Sequence, residues 1–183
     1  MSRILLTGVN GQVGFELQRT LAPLGEVIAL TRQDMDLADP TSIISALDKY
    51  QPTIIVNPAV YTAVDKAETA IEQAMAINAH APKVLAEWAA QHNALLVHYS
   101  TDYVFDGCKD SPYLENDEAN PQSVYGQSKW LGEEAIRAVT PHHIILRTSW
   151  VFGAYGNNFL KTILRLAKER DSLSIVADQH GAP

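Results

Sequence analysis

Tyr125 and Lys129 stand four positions apart in the run Tyr125-Gly126-Gln127-Ser128-Lys129. On a helix that spacing puts both side chains on one face, a turn apart. A free phenol, with a pKa of about 10, is a reluctant proton donor or acceptor at neutral pH. A neighbouring ammonium favours the phenolate and lowers that pKa. The pair is therefore expected to serve as a tuned general acid or base. Both residue types are common, and the same spacing suits a solvated helix face, so the pair needs support from elsewhere in the chain.

That support begins near the N-terminus. Gly8, Gly11 and Gly14 follow the apolar run Arg3 to Thr7, and Val13, Leu17, Leu21 and Leu24 then recur at helical spacing. The glycines thus lie at a strand-to-helix turn, with the helix predicted from about Gly11 to Ala22. Such a turn brings backbone N–H groups and a helix N-terminus onto a pyrophosphate. A second strand, Glu26 to Leu30, ends at Thr31-Arg32 with no acid at its tip. An acid there would grip a ribose 2′-hydroxyl, whereas Arg32 suits a 2′-phosphate. NADPH is the expected cofactor, with NADH as the alternative. Met35-Asp36-Leu37 reads as a short strand end that places Asp36 and Leu37 beside the adenine.

The elements that must position these groups alternate along the chain. Asp39 and Pro40 read as N-cap and first residue of a helix whose apolar face is Ile43, Ile44 and Leu47. Strand Ile54 to Val56 ends at Asn57-Pro58-Ala59, where a cofactor would cross the sheet edge. The segment Val60 to Glu68 is a loop entering a helix. A long helix follows over roughly Ile71 to Gln91, bent near Asn78 or Pro82; Asn78 is either an exposed or capping residue or a functional one. Ala94 to Tyr99 reads as a fully apolar strand, with Ser100-Thr101-Asp102 at its carboxyl end, where α/β sheets bind ligands. Residues 106–120 form a surface loop. Asn120-Pro121 opens the helix carrying Tyr125 and Lys129, which lie beside a stripe of Val124, Leu131, Ala135 and Val139. Strand His142 to Leu146, helix Asn158 to Glu169 and a last strand Leu173 to Val176 complete the reading. Alternating strands and helices predict an α/β, Rossmann-type doubly wound parallel sheet.

Bulk properties narrow the partners. The 183 residues fit one domain, with 46% hydrophobic and 19% charged residues. A net charge of -7 argues against nucleic acid or an anionic membrane surface as partner. The single cysteine, Cys108, sits in a loop-like stretch, permits no internal disulfide and points to a reducing, cytoplasmic compartment. The N-terminal apolar run is too short for a signal-peptide core, and no run approaches a membrane span. No metal site is expected.

A glycine turn, a hydroxyl residue at a strand end and Tyr-x-x-x-Lys on the next helix together resemble the extended branch of the short-chain dehydrogenase/reductase superfamily. Finer runs, in order along the chain, resemble the dTDP-4-dehydrorhamnose reductase family: Val64 to Glu68, Tyr99 to Gly107, Tyr125 to Lys129, Arg147-Thr148-Ser149-Trp150 and Gly156-Asn157-Asn158-Phe159. The resemblance implies that Tyr125 gives a proton to the sugar C4 oxygen while nicotinamide gives hydride to C4. It implies that Lys129 lowers the phenol pKa and holds the nicotinamide ribose, and that Thr101 hydrogen-bonds the reacting carbonyl. Asp102 and Trp150 would meet the sugar. Gly8, Asn10, Gly11, Gln12, Val13, Gly14, Asp36, Leu37, Val60, Tyr61 and Thr62 would line the cofactor. The implied partner is a dTDP-sugar, with a homodimer of the full-length protein left open.

Two departures accompany the resemblance. Pro58 stands where that family has alanine and removes a backbone donor. The family's chains also run longer, so residues 1–183, ending at Gly181-Ala182-Pro183, read as the N-terminal cofactor domain of a longer reductase. Two other readings share the fold. A nucleotide-sugar dehydratase or epimerase is one, but dehydratases resembling this chain carry Thr-Asp-Glu, and here Tyr103 follows Asp102. A non-catalytic regulatory subunit, like that of methionine adenosyltransferase, is the other, and the intact Thr101, Tyr125 and Lys129 set weighs against it.

Overall fold

The structure is a computed structural model that describes residues 1–176 and 181; Ala182 and Pro183 of the terminal run lie outside the described residues. Five parallel strands form one sheet in the order β2-β1-β3-β4-β5, with β1 Ser2–Leu6, β2 Gly25–Ala29, β3 Ile54–Asn57, β4 Leu95–Thr101 and β5 His143–Thr148. The chain leaves β1 toward one side and β3 toward the other, which makes their carboxyl ends the switch point of the sheet.

Strand side chains alternate between two buried faces, which explains the near-continuous apolar runs. Leu5, Ile55 and Leu96 pack on one side with α2 (Pro40–Tyr50), α5 (Ala81–His92) and α6 (Val124–Val139), through Ile43, Leu47, Leu85 and Ile136. Ile4, Leu6 and Val56 face the other way against Leu17 and Leu21 of α1 (Gln12–Leu21). Burying each such side chain contributes roughly 1.5–3 kcal/mol.

Several local expectations hold. Asp39 caps α2 by accepting from Thr41 N at 2.9 Å, with Pro40 first in the helix. The long helix is indeed interrupted: α4 (Ile71–Met75) passes through a π turn, Ala76–His80, into α5. A short helix α3, Val64–Ala67, precedes it, and α7, Phe159–Glu169, follows β5.

Others need correction. Met35-Asp36-Leu37 forms no strand; an irregular turn tied by Asp34 and Asp36 fills that position. Ile44 is exposed, and Ala46 takes the inner position beside Ile43 and Leu47. Residues 173–176 form no strand either. The sixth helix starts at Val124, not at Asn120-Pro121, because Ser123 caps it by accepting from Gly126 N at 3.1 Å. Its buried stripe is not Val124, Leu131, Ala135 and Val139, since Leu131 is exposed. Tyr125, Lys129 and Glu133 form the inward stripe instead, at i, i+4 and i+8.

Glu133 is 0% exposed and clamps α6 to β5. Its two carboxylate oxygens accept from Arg147 Nε at 3.0 Å and Nη2 at 2.7 Å, and Arg137 Nη2 adds a third bond at 2.7 Å. Burial alone would raise its pKa, but Arg147 and Arg137 hold the carboxyl below its ordinary value. Replacing Glu133 by Gln leaves two guanidinium groups facing a neutral amide. The expected cost is about 2 kcal/mol or more in folding stability, read as a lower urea midpoint with an unchanged slope.

Candidate active site

The glycine turn sits at the carboxyl end of β1, and close packing dictates its glycines. Gly8 takes a φ of +61°, and a Cβ there would come within 2.9 Å of Ala59 Cα in the segment after β3. A Cβ on Gly14 would overlap the carbonyl oxygen of Gly8, so only glycine lets α1 pack this near the strand. Gly11 is the N-cap of α1; it offers no side chain to the first N–H groups, and the first turn holds no acidic residue. That arrangement leaves a helix N-terminus suited to an anionic group, and it fits the pyrophosphate of a dinucleotide.

At the other end of this crevice a cavity of about 510 Å³ is lined by Asn10, Thr31, Arg32, Gln33 and Asp36. Arg32 is exposed and pairs with Asp36 at 3.5 Å. Asp34 accepts from Thr31 N at 2.9 Å and Thr31 Oγ1 at 2.7 Å. Leu37 does not line this cavity but sits in the core.

Thr101, Tyr125 and Lys129 converge at the carboxyl end of β4, all buried. Thr101 Oγ1 accepts from Tyr103 N and donates to Asp102 Oδ1 at 3.2 Å, and it lies close enough to the Tyr125 phenol to favour its ionised form. Lys129 Nζ donates to Tyr99 O at 2.7 Å and meets His98 Nε2 at 3.0 Å. Val60 and Tyr61 pack near Tyr125 in a small apolar cluster with Ala67 and Ala74, while Thr62 is exposed.

The electrostatics depart from expectation. Tyr125 is not made more acidic. Burial pushes its phenol above the ordinary value, and the charges of Asp102 and Tyr103 add to this, against the Thr101 hydrogen bond. Burial also lowers Lys129 to about 7, with Glu133 opposing. A lysine only partly charged at neutral pH has little field with which to acidify a phenol. The site therefore holds a protonated phenol suited to giving a proton.

Sequence reasoning missed His98 and left the roles of Asn57 and Asn78 open; all three are buried polar residues. His98 lies inside a strand read as fully apolar, and with Asn57 it forms a polar row beneath the site. Asn78 is neither exposed nor a cap: its side chain accepts from Tyr61 N at 2.9 Å and donates to Tyr61 O and Ser128 Oγ, joining the π turn to the loop and to α6. For His98 the signal available was a polar residue interrupting an apolar run.

Trp150 stands apart. It is 42% exposed with a φ of +48°, meets Phe159 edge-on, and lines a second cavity of about 350 Å³ with Val151, Phe152 and Leu160. Beyond it, residues 153–158 cross back to α1. Asn158 Nδ2 donates to Gln12 Oε1 at 2.9 Å, and Tyr155 stacks on Phe15 at 3.8 Å. Among the described residues no group of three or more His, Cys, Asp or Glu could hold a metal, and no helix is long and apolar enough to cross a membrane.

The profile of the RmlD substrate binding domain matches residues 1–183. The chain is similar to the dTDP-4-dehydrorhamnose reductase of Burkholderia thailandensis, 51% identical over 99% of this chain and 61% of that protein. Among solved structures it resembles the dTDP-4-dehydrorhamnose reductase of Clostridium acetobutylicum, with a TM-score of 0.93 and 44% identity over 97% of this chain and 63% of that one. The Bacillus anthracis dTDP-4-dehydrorhamnose reductase in complex with NADP matches with the same TM-score, 38% identity, and 97% and 64% coverage. The chain thus spans about three fifths of the length of these relatives.

The depressed lysine carries a stability signature. Between about pH 7 and pH 10 the unfolded chain binds a proton at Lys129 that the folded chain lacks, so stability rises with pH across that window. The total is up to about 5 kcal/mol. In Lys129→Met this part of the slope is expected to vanish, as measured by urea denaturation at a series of pH values.

Proposed function

Because the chain belongs to the RmlD substrate binding domain family, we propose that its protein reduces the C4 keto group of dTDP-4-dehydro-6-deoxy-L-mannose to dTDP-L-rhamnose, with NADPH as reductant. The observation that carries this reading is the meeting of Thr101 with the Tyr125 phenol beside Lys129 and at the strand ends that carry the glycine turn. The 51% identical Burkholderia relative and the NADP-bound Bacillus anthracis structure support the substrate and the cofactor respectively.

In this reading residues 1–183 form the dinucleotide-binding domain. The turn Gly8 to Gly14, with Asn10, Gln12 and Val13, would hold the pyrophosphate. Arg32 would take the 2′-phosphate, with Asp36 as the partner it leaves or shares. Val60, Tyr61 and Thr62 would border the nicotinamide half, and Asp102 and Trp150 the sugar. The nicotinamide, when bound, supplies the hydride. The chain supplies the rest. Thr101 orients and polarises the keto oxygen by hydrogen bonding. Tyr125, held protonated by burial, donates its proton to that oxygen as charge develops there. Lys129 offers donors to the ribose hydroxyls. Burial of all three excludes water and fixes their geometry.

The full reductase is expected to oxidise NADPH, followed by absorbance, when given the 4-keto sugar nucleotide. Tyr125→Phe should lower the rate ~10²–10⁴-fold, the range of a general acid; an unchanged rate removes Tyr125 from the chemistry. Arg32→Ala should weaken NADPH binding by about tenfold or more while changing NADH binding little, since only the former loses a charge-assisted bond. Titration calorimetry with both nucleotides separates the two outcomes.

A further inference from the structure

The segment of residues 153–158 lies across the start of α1, and several contacts hold it there. Tyr155 stacks on Phe15 at 3.8 Å with the rings nearly parallel. Gly156 takes a φ of +75°, and a Cβ there would come within 2.7 Å of Gln12 Cγ, so this backbone presses directly on the Gln12 stem. Lys161 Nζ donates to Ala154 O at 3.0 Å and to Gly156 O at 2.7 Å, which ties the segment to the first turn of α7. Asn158 closes the arrangement. Its Nδ2 donates to Gln12 Oε1 and to Gly153 O, both at 2.9 Å, and its Oδ1 accepts from Lys161 N at 3.0 Å as the N-cap of α7. Gln12 is the first residue of α1, directly after the Gly11 cap.

These partners fix the orientation of both side-chain amides. A backbone N–H can only donate, so the Asn158 atom facing Lys161 N is its oxygen. A backbone carbonyl can only accept, so the atom facing Gly153 O is its nitrogen. That nitrogen also faces Gln12, and the Gln12 atom it meets is therefore the carboxamide oxygen. The donor end of Gln12, with its two N–H groups, is the end that Asn158 leaves alone. An unrestrained glutamine presents oxygen and nitrogen with equal ease, and an oxygen turned toward a phosphate repels it. Ordering the amide before a ligand arrives removes that loss. The first turn of α1 holds no acidic residue, so the helix end and the Gln12 donors share one preference, for an anion.

We propose that Asn158 is a positioning residue for the dinucleotide pyrophosphate: it holds the Gln12 carboxamide so that its N–H groups stay free to donate. The strap of residues 153–158 is thereby part of the cofactor site, although it follows the fifth strand. The run Gly156-Asn157-Asn158-Phe159 then divides its work, with Gly156 admitting the close approach and Asn158 setting the amide. This role rests on the reading of the glycine turn as a dinucleotide site.

Titration calorimetry on the full-length protein tests it, with NADPH and with adenosine 2′-monophosphate, which has the adenine and the 2′-phosphate but no pyrophosphate. Asn158→Ser keeps an oxygen to cap α7 and adds no charge, but has no amide to give Gln12. It is expected to bind NADPH about tenfold more weakly, the scale of one hydrogen bond to a charged group, and adenosine 2′-monophosphate as before. Gln12→Met removes the same donors and should weaken NADPH by a similar factor. Because Asn158 acts through Gln12, adding Asn158→Ser to Gln12→Met should weaken binding no further. A merely structural strap would instead give losses that multiply. An unmoved NADPH affinity in Asn158→Ser, multiplying losses in the double variant, or an equal loss for adenosine 2′-monophosphate overturns the role of Asn158 and leaves the dinucleotide reading standing. An unaltered protein that binds no NADPH sinks both. Should Asn158→Ser not fold, Asn158→Thr, which also caps α7 and lacks the amide, is read by the same outcomes.

Discussion

A primary amine cut off from water is the constraint around which this molecule is arranged. Lys129 is 1% exposed at the centre of the sheet's carboxyl edge, where a charge is costly and a neutral amine still needs partners. The fold meets that demand with β4, which offers both the Tyr99 carbonyl and the His98 ring. The His98 position in turn calls for Asn57 in the adjacent strand, and Asn57 for Thr7 beyond it. Thr7 just past β1, Asn57 at the end of β3 and His98 within β4 thus set polar residues on a face otherwise filled by Leu5, Ile55 and Leu96. An amine held this way is stabilising only in its satisfied form, and the row of partners that satisfies it runs as far as Thr7, next to the glycine turn.

Helix α6 carries the other half of this arrangement. Its inward stripe of Tyr125, Lys129 and Glu133 is a phenol, an amine and an ion-pair anchor in successive turns. Small residues between them let the helix come close. A Cβ on Gly126 would overlap the Tyr103 carbonyl oxygen, and one on Gly132 that of Asn78. Asn78 sits in the π turn, where the helical ladder is locally widened, and from there it reaches both Tyr61 and Ser128. The chemistry-bearing helix is therefore located by backbone contact on two sides and by Glu133 at its far end.

Much of this was legible in the chain itself. Alternating apolar runs and helical periods indicated the parallel sheet, and Gly8, Gly11 and Gly14 marked the turn because strand and helix signals bracket them. Thr101, Tyr125 and Lys129, singled out by residue type and spacing, do come together at the end of β4. What escaped depends on burial. Periodicity cannot say that a stripe containing lysine and glutamate faces inward, since isolated helices place such residues in water. His98 was lost inside an apolar strand for the same reason. The direction of the Tyr125 shift was misjudged because a nearby amine was credited with full charge, and dehydration of that amine removes much of it. Leu37 was assigned to a ligand and serves the core, as a leucine next to an irregular turn readily does.

The contact between Asn158 and Gln12 joins positions 146 apart in the chain. Chain closure over such a span carries an entropy cost that grows only with the logarithm of its length. Yet nothing local helps it form: Phe15 and Tyr155 are partly exposed, and the bridge rests on a few polar bonds at the surface. Segments secured so lightly open at free energies far below that of global unfolding. The bridge between α1 and the segment before α7 therefore opens locally while all five strands stay paired.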